Sequence, residues 1–160
     1  MAIGLSEASS ILWRQRRLLE LLLFKLDVEQ TLLAAGRLRW LAQATNEVEL
    51  VLDEIRSTEL LRAVAIDDLA LELGLPPGCS LRELADAAAE PWGSILTEHR
   101  DALLSLTEEI SVVAAANREL VTQGQQAVTE VLDLVTGSAP SDPFDGRERR
   151  RGAVLVDEVV

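Results

Sequence analysis

Residues 91–136, PWGSILTEHRDALLSLTEEISVVAAANRELVTQGQQAVTEVLDLVT, hold a heptad pattern with no proline after Pro91. One seam row is Leu96, Leu103, Ile110, Asn117, Gly124 and Val131; the other is His99, Leu106, Val113, Leu120, Ala127 and Leu134. Two apolar rows with a seven-residue repeat, offset by three, mark a helix that packs along its length. At 1.5 Å per residue it spans roughly 65–70 Å. Such a helix outruns the shorter ones upstream. Its far end is therefore expected to carry an apolar face that nothing in the chain covers, and such a face wants a partner.

Upstream, Ser6 or Ser9 is a fitting N-cap for a first helix. Leu12, Leu19, Leu26 and Leu33 recur seven apart with Leu22 and Leu23 between them, giving an amphipathic helix of about 30 residues, or roughly 45 Å. Gly36 follows Ala34-Ala35, as a helix C′ residue does. A full turn and a kinked continuous helix both fit there; the change of register across Gly36 favours the turn. A second helix is predicted over residues 38–73, with rows Leu41, Val48, Ile55, Arg62, Leu69 and Thr45, Leu52, Glu59, Ile66, Leu73. Arg62 and Glu59 break the seam; a pair three apart on one face is one reading, and the favoured one has the stripe drift to Leu60, Leu61 and Val64, leaving both charges solvated. Gly74 ends the helix and Pro76-Pro77 prevents its resumption.

Ser80 and Glu83 have the spacing of a capping box for a short helix ending near Glu90. Pro91 suits the first turn of the long helix, and Trp92 is expected to anchor that corner in the core. The predicted fold is all-α: an elongated antiparallel bundle of three long helices plus one short helix. Residues 1–136 form the helical domain. Residues 137–160 read as a flexible tail, opening on Gly137-Ser138-Ala139-Pro140-Ser141-Asp142-Pro143. The tail holds a basic cluster, Arg147, Arg149, Arg150 and Arg151, and a brief apolar run, Ala153-Val154-Leu155-Val156.

Composition excludes several function classes. The 160 residues carry a net charge of −12, which disfavours nucleic acid and anionic membranes. The greasiest stretch, residues 18–26, contains Glu20 and Lys25 and is too short for membrane insertion. Residues 1–10 lack a basic start and a long apolar run, so a cytoplasmic location is expected. Cys79 is the one cysteine; it can form no internal disulfide and reads as incidental. His99, the one histidine, lies on the seam and reads as packed rather than catalytic. Asp67-Asp68 and Glu108-Glu109 are sequence neighbours whose side chains diverge on a helix, so neither makes a dyad. No spacing fits a metal site, a phosphate loop or a cofactor. No catalytic residue, metal or cofactor is expected.

The stretch Leu32-Leu33-Ala34-Ala35-Gly36-Arg37-Leu38-Arg39-Trp40-Leu41, the second helix with Val48, Leu52 and Ile55, the Gly-Leu-Pro break and Ala116-Asn117-Arg118-Glu119-Leu120 together resemble the FlgN family of flagellar export chaperones, in particular its actinobacterial forms. The similarity covers residues 8–136; Gly36-Arg37 stands where the family has Gly-Asp. The resemblance implies a cytoplasmic helical bundle without enzymatic activity. It further implies binding to C-terminal segments of hook–filament junction (hook-associated) proteins, which are kept unassembled and delivered to the flagellar type III export apparatus. Contact with the export gate or the export ATPase complex stays open.

The family's client-binding region lies towards the C-terminus, which maps here onto the last turns of the long helix. There Leu120, Val121, Ala127, Val128, Val131, Leu132, Leu134 and Val135 form a broad apolar face flanked by Gln123, Gln125, Gln126, Thr129 and Glu130. These eight residues are the expected client-binding site, in the manner of a helix laid along a groove. Asn117 reads as a register-fixing residue or a hydrogen-bond partner for the client. Gly124 lowers local helix stability by about 1 kcal/mol relative to alanine. The alternative reading is a coiled-coil adaptor that forms a homodimer through the same face.

Overall fold

The computed structural model describes residues 2–137; the tail expected after that lies outside the described residues. The elements are α1 (Ala2–Ala34), a 3-10 turn (Leu38–Trp40), α2 (Leu41–Glu72), α3 (Leu81–Ala87) and α4 (Trp92–Thr136). No strand occurs among the described residues. Helix α1 begins earlier than the serine caps suggested, because Leu5 and Ala8 are buried and pay back the extra turn.

Gly36 is a full turn. Its φ of 65° puts it in the left-handed region, Gly36 N–H donates to Leu33 O at 3.2 Å and Arg37 N–H to Leu32 O at 2.9 Å. This double closure caps the last carbonyls of α1. The capping box forms as read: Glu83 N–H donates to Ser80 Oγ and Ser80 N–H to Glu83 Oε2 at 2.7 Å, which holds the Glu83 carboxyl below its ordinary range. Gly93 admits α3 against α4. A Cβ there would meet Ala85 O at 2.9 Å and Ala88 O at 3.2 Å.

Helix α1 is the spine, with α2 and α4 both packed along it. Lys25 pairs with Glu47 at 2.9 Å and Arg62 reaches Gln15, so α2 runs antiparallel to α1. Ser9 meets His99 and Leu26 meets Asn117, so α4 runs parallel to it. The core is the leucine stripe of α1 (Leu5, Leu12, Leu19, Leu22, Leu26) with Val48, Ile55 and Leu69 of α2 and Leu96, Leu103 and Ile110 of α4. Trp92 is half-buried and packs on this core, as expected.

The seam break in α2 is a correction. Leu60, Leu61 and Val64 are exposed, while Glu59 and Arg62 are half-buried. Arg62 Nη1 donates to Oε1 of the fully buried Gln15 at 3.3 Å, and Thr58, also fully buried, donates to Glu54 O. The stripe does not drift. It passes through a polar layer in which burial lowers the Arg62 pKa. A long guanidinium stem can line an apolar seam while its head finds an acceptor.

Candidate functional site: the free end of α4

The offset of about ninety residues between α1 and its partners on α4 sets Ala34, the last residue of α1, level with Gly124. Helix α4 continues to Thr136, so its final twelve residues, roughly 18 Å, project past the bundle. Gly137, with φ 64°, closes the helix by donating to Asp133 O at 2.9 Å.

Burial follows the same boundary. Asn117 is the last buried residue of α4, and residues 121–132 are all exposed. Of the eight residues read as the client site, Leu120 is partly covered at the bundle's edge and the other seven are exposed, up to 85% for Leu134. Asn117, Val121, Gly124, Val128, Val131 and Val135 alternate four and three apart, so they form one row on one helix face. Leu96, His99, Leu103, Leu106, Ile110, Val113 and Asn117 form the same kind of row below, and that part of the face lies against α1. The overhang thus presents the face of α4 that serves as a core face further down. Leu120, Ala127 and Leu134 form a second row at its edge. On the polar side Thr122, Thr129 and Thr136 each donate to the carbonyl four residues back. Between Glu119 and Thr136 stand three carboxylates, Glu119, Glu130 and Asp133, and no cation.

The root of the overhang is a polar clasp. Asn117, 3% exposed, donates through Nδ2 to Leu26 O at 2.9 Å and to Glu29 Oε1 at 3.2 Å. Glu29 accepts from Thr45 Oγ1 at 3.1 Å through its other oxygen. One carboxylate therefore ties all three long helices at the last layer. Asn117 faces α1, which fits the register reading and not the client contact. Its Oδ1 is buried without a partner.

At the other end, His99 is fully buried. Arg16 Nη1 lies 3.4 Å from His99 Nδ1, which can only accept from it; Nε2 then carries the proton and donates to Ser9 Oγ at 3.0 Å. Burial and the Arg16 charge lower the His99 pKa. Trp13 stacks edge-on against His99 with centroids 5.1 Å apart, and Arg16 sits 4.1 Å over the Trp13 ring. These contacts knot the N-terminal half of α1 to the start of α4. Beside it Ser6, Ser10, Trp13, Arg14, Arg17 and Trp92 line an open groove. Sequence reasoning missed this cluster; the signal was Trp13 with Arg16 and Arg17 three and four residues on, one turn along a helix. Cys79 is half-buried, and burial with nearby Glu83 and Asp67 pushes its thiol up, away from reactivity. Among the described residues no group of His, Cys, Asp and Glu could hold a metal, and no helix is long and apolar enough to cross a membrane.

The described helices form a bundle around α1 with one end of α4 left as a bare apolar face. The chain belongs to the FlgN family: the family model, described as FlgN protein, matches residues 1–142, which takes in the whole bundle and the overhang. Its members are chaperones of flagellar export. No curated protein and no solved structure matches the chain.

Proposed function

We propose that the overhang of α4 is the client-holding surface of a cytoplasmic flagellar export chaperone. Its clients are hook–filament junction proteins, held by their C-terminal segments, kept from assembling and passed to the export gate or the export ATPase complex. The observation that carries this reading is the uncovered apolar row from Val121 to Val135 on a helix whose lower part uses the same face as core. An amphipathic client segment laid along that row repeats the packing that α1 provides below.

The test is co-purification of the full chain with the C-terminal segment of a junction protein. Full burial of one valine or leucine is worth about 1.5–3 kcal/mol, so Leu132→Glu and Val135→Glu should each weaken the complex by roughly tenfold to a hundredfold. A complex indifferent to both substitutions removes the site from the overhang. The row also fits self-pairing of the coiled-coil kind. Sedimentation separates the two: a dimer that persists and ignores the client identifies an adaptor rather than a chaperone.

A further inference from the structure

The groove beside the His99 knot plays no part in the client reading. We propose that it is a second docking surface, which takes a short acidic segment of a partner protein: carboxylates on Arg14 and Arg17, and an apolar side chain against Trp13 and Trp92. The groove lies at the opposite end of the bundle from the overhang, roughly 44 Å along α4 between Trp92 and Val121. The two surfaces can therefore be filled together.

Charge selects this occupant. The chain has 27 acidic residues against 15 lysines and arginines, yet Arg14, Arg16 and Arg17 fall within one turn of α1. Among the described residues none of the three is in an ion pair. Arg16 is taken up by His99 and the Trp13 ring. Arg14 and Arg17 are exposed, lie three apart and so on one face, and both line the groove. The lining holds no carboxylate; Glu7 and Glu20, the nearest acids in sequence, stand outside it. Two unpaired guanidiniums side by side repel each other, and a carboxylate laid on their forks relieves that repulsion. A second copy of the chain would set a net charge of −12 against −12. A nucleic acid would run past the groove onto the acidic surface, whereas a short segment ends within it.

Shape favours the same occupant. The groove measures about 570 Å³, inside the range of roughly 300–1,000 Å³ that ligand clefts span. Trp13 remains 46% exposed although its edge is held against His99 and Arg16 sits over its ring. A ring already held in place loses little freedom when a partner covers it. Tryptophan and arginine are also the residue types that dominate binding energy at interfaces.

The test is fluorescence anisotropy of a short labelled peptide of glutamates and leucines, titrated with the full chain at low salt. A lysine–leucine peptide of the same length is the control and should not bind. Arg14→Gln/Arg17→Gln removes two exposed side chains without partners, so the bundle is unaffected, and it should weaken binding about tenfold. Arg37→Gln/Arg39→Gln makes the same change of charge at the other end of α1 and should leave binding as it was. Amide shifts caused by the peptide should fall on residues 6–17 and on Trp92. No saturable binding of the acidic peptide, or equal losses in the two arginine pairs, overturns the proposal. So does equal binding of a single-stranded oligonucleotide of the same charge, which would make the groove a nucleic-acid site. An arginine-dependent dimer in sedimentation without peptide also overturns it, since the occupant would then be a second copy. Leu132→Glu, which tests the client surface, should not change peptide binding; a loss there would place the peptide on the overhang and remove it from the groove.

Discussion

The two parts of α4 carry one sequence pattern and have opposite fates. From Leu96 to Asn117 the three-four row is buried or half-buried against α1; from Val121 to Val135 the continuing row is exposed. The residue types hardly differ. What differs is that α1 ends at Ala34 and α2 begins at Leu41, so no neighbour extends to the upper part. A heptad row states only that a face is made to be covered; the chain topology decides where its own helices do the covering. The sharpest break between the parts is energetic. Leu103, 2% exposed, should cost about 2–5 kcal/mol on replacement by alanine, through lost transfer energy and the cavity left behind. Val131→Ala, at 58% exposure, should stay within about 0.5 kcal/mol. Urea denaturation of both variants measures the difference, and comparable costs would show that something covers the overhang.

The boundary itself can be moved. Asn117→Ala deletes the donor to Leu26 O and Glu29 and leaves that carboxylate tied only to Thr45 at the mouth of the bundle. Loss of such buried hydrogen bonds costs about 1–3 kcal/mol. It should also loosen the last layer, so that hydrogen exchange quickens down to Ile110 while Leu96 and Leu103 stay protected. If exchange at Ile110 is unmoved, the clasp is not what ends the packed part.

Much of this was legible beforehand because it rests on periodicity and length. The rows of α1 and α4, the turn at Gly36 and the Ser80–Glu83 cap are local patterns. The overhang follows from comparing helix lengths. The features that escaped are made between helices. Nothing in the spacing of Glu59 and Arg62 says that Gln15, on another helix, offers an acceptor to turn towards. The His99 knot joins residues eighty-three to ninety apart in sequence, and the parallel pairing of α4 with α1 sets which of them meet. Asn117 stood out as a polar seam residue, but the choice between register and client came only with Leu26 O at 2.9 Å.

The two parts also differ in their response to pH. The folded His99 has a pKa below its ordinary value of 6.5, because it is buried and faces Arg16. As pH falls through 6.5 the unfolded chain takes up the proton first, so stability present above 6.5 is lost between that value and the lower folded one. Glu47 and Glu83, whose folded pKa values are also depressed, contribute in a separate window from 4.5 downwards. Urea midpoints from pH 7.5 to 5 should therefore decline, and His99→Gln should flatten that decline. The overhang has no histidine, so its hydrogen exchange, corrected for intrinsic rates, should not follow the His99 window. A decline unchanged in His99→Gln would place the titrating group elsewhere.

The smallest effect lies within the overhang. Gly124 sits where α1 runs out, and a Cβ built there meets nothing within 4 Å. Alanine is therefore free of steric cost and gains about 1 kcal/mol of helix propensity over glycine. Because residues 125–132 are exposed, that gain should not appear in the global urea midpoint. It should appear as about fivefold slower hydrogen exchange over residues 125–135, the local equivalent of 1 kcal/mol. A shift of the global midpoint by the full amount would mean that the overhang folds as one unit with the bundle. Client affinity adds a second reading of the same variant. If the client takes α4 as a preformed helix, Gly124→Ala tightens binding by the same factor, since less ordering remains to be done. If the client needs the end of α4 to bend at Gly124, the same substitution weakens it, and the sign alone separates a rigid docking face from a hinged one.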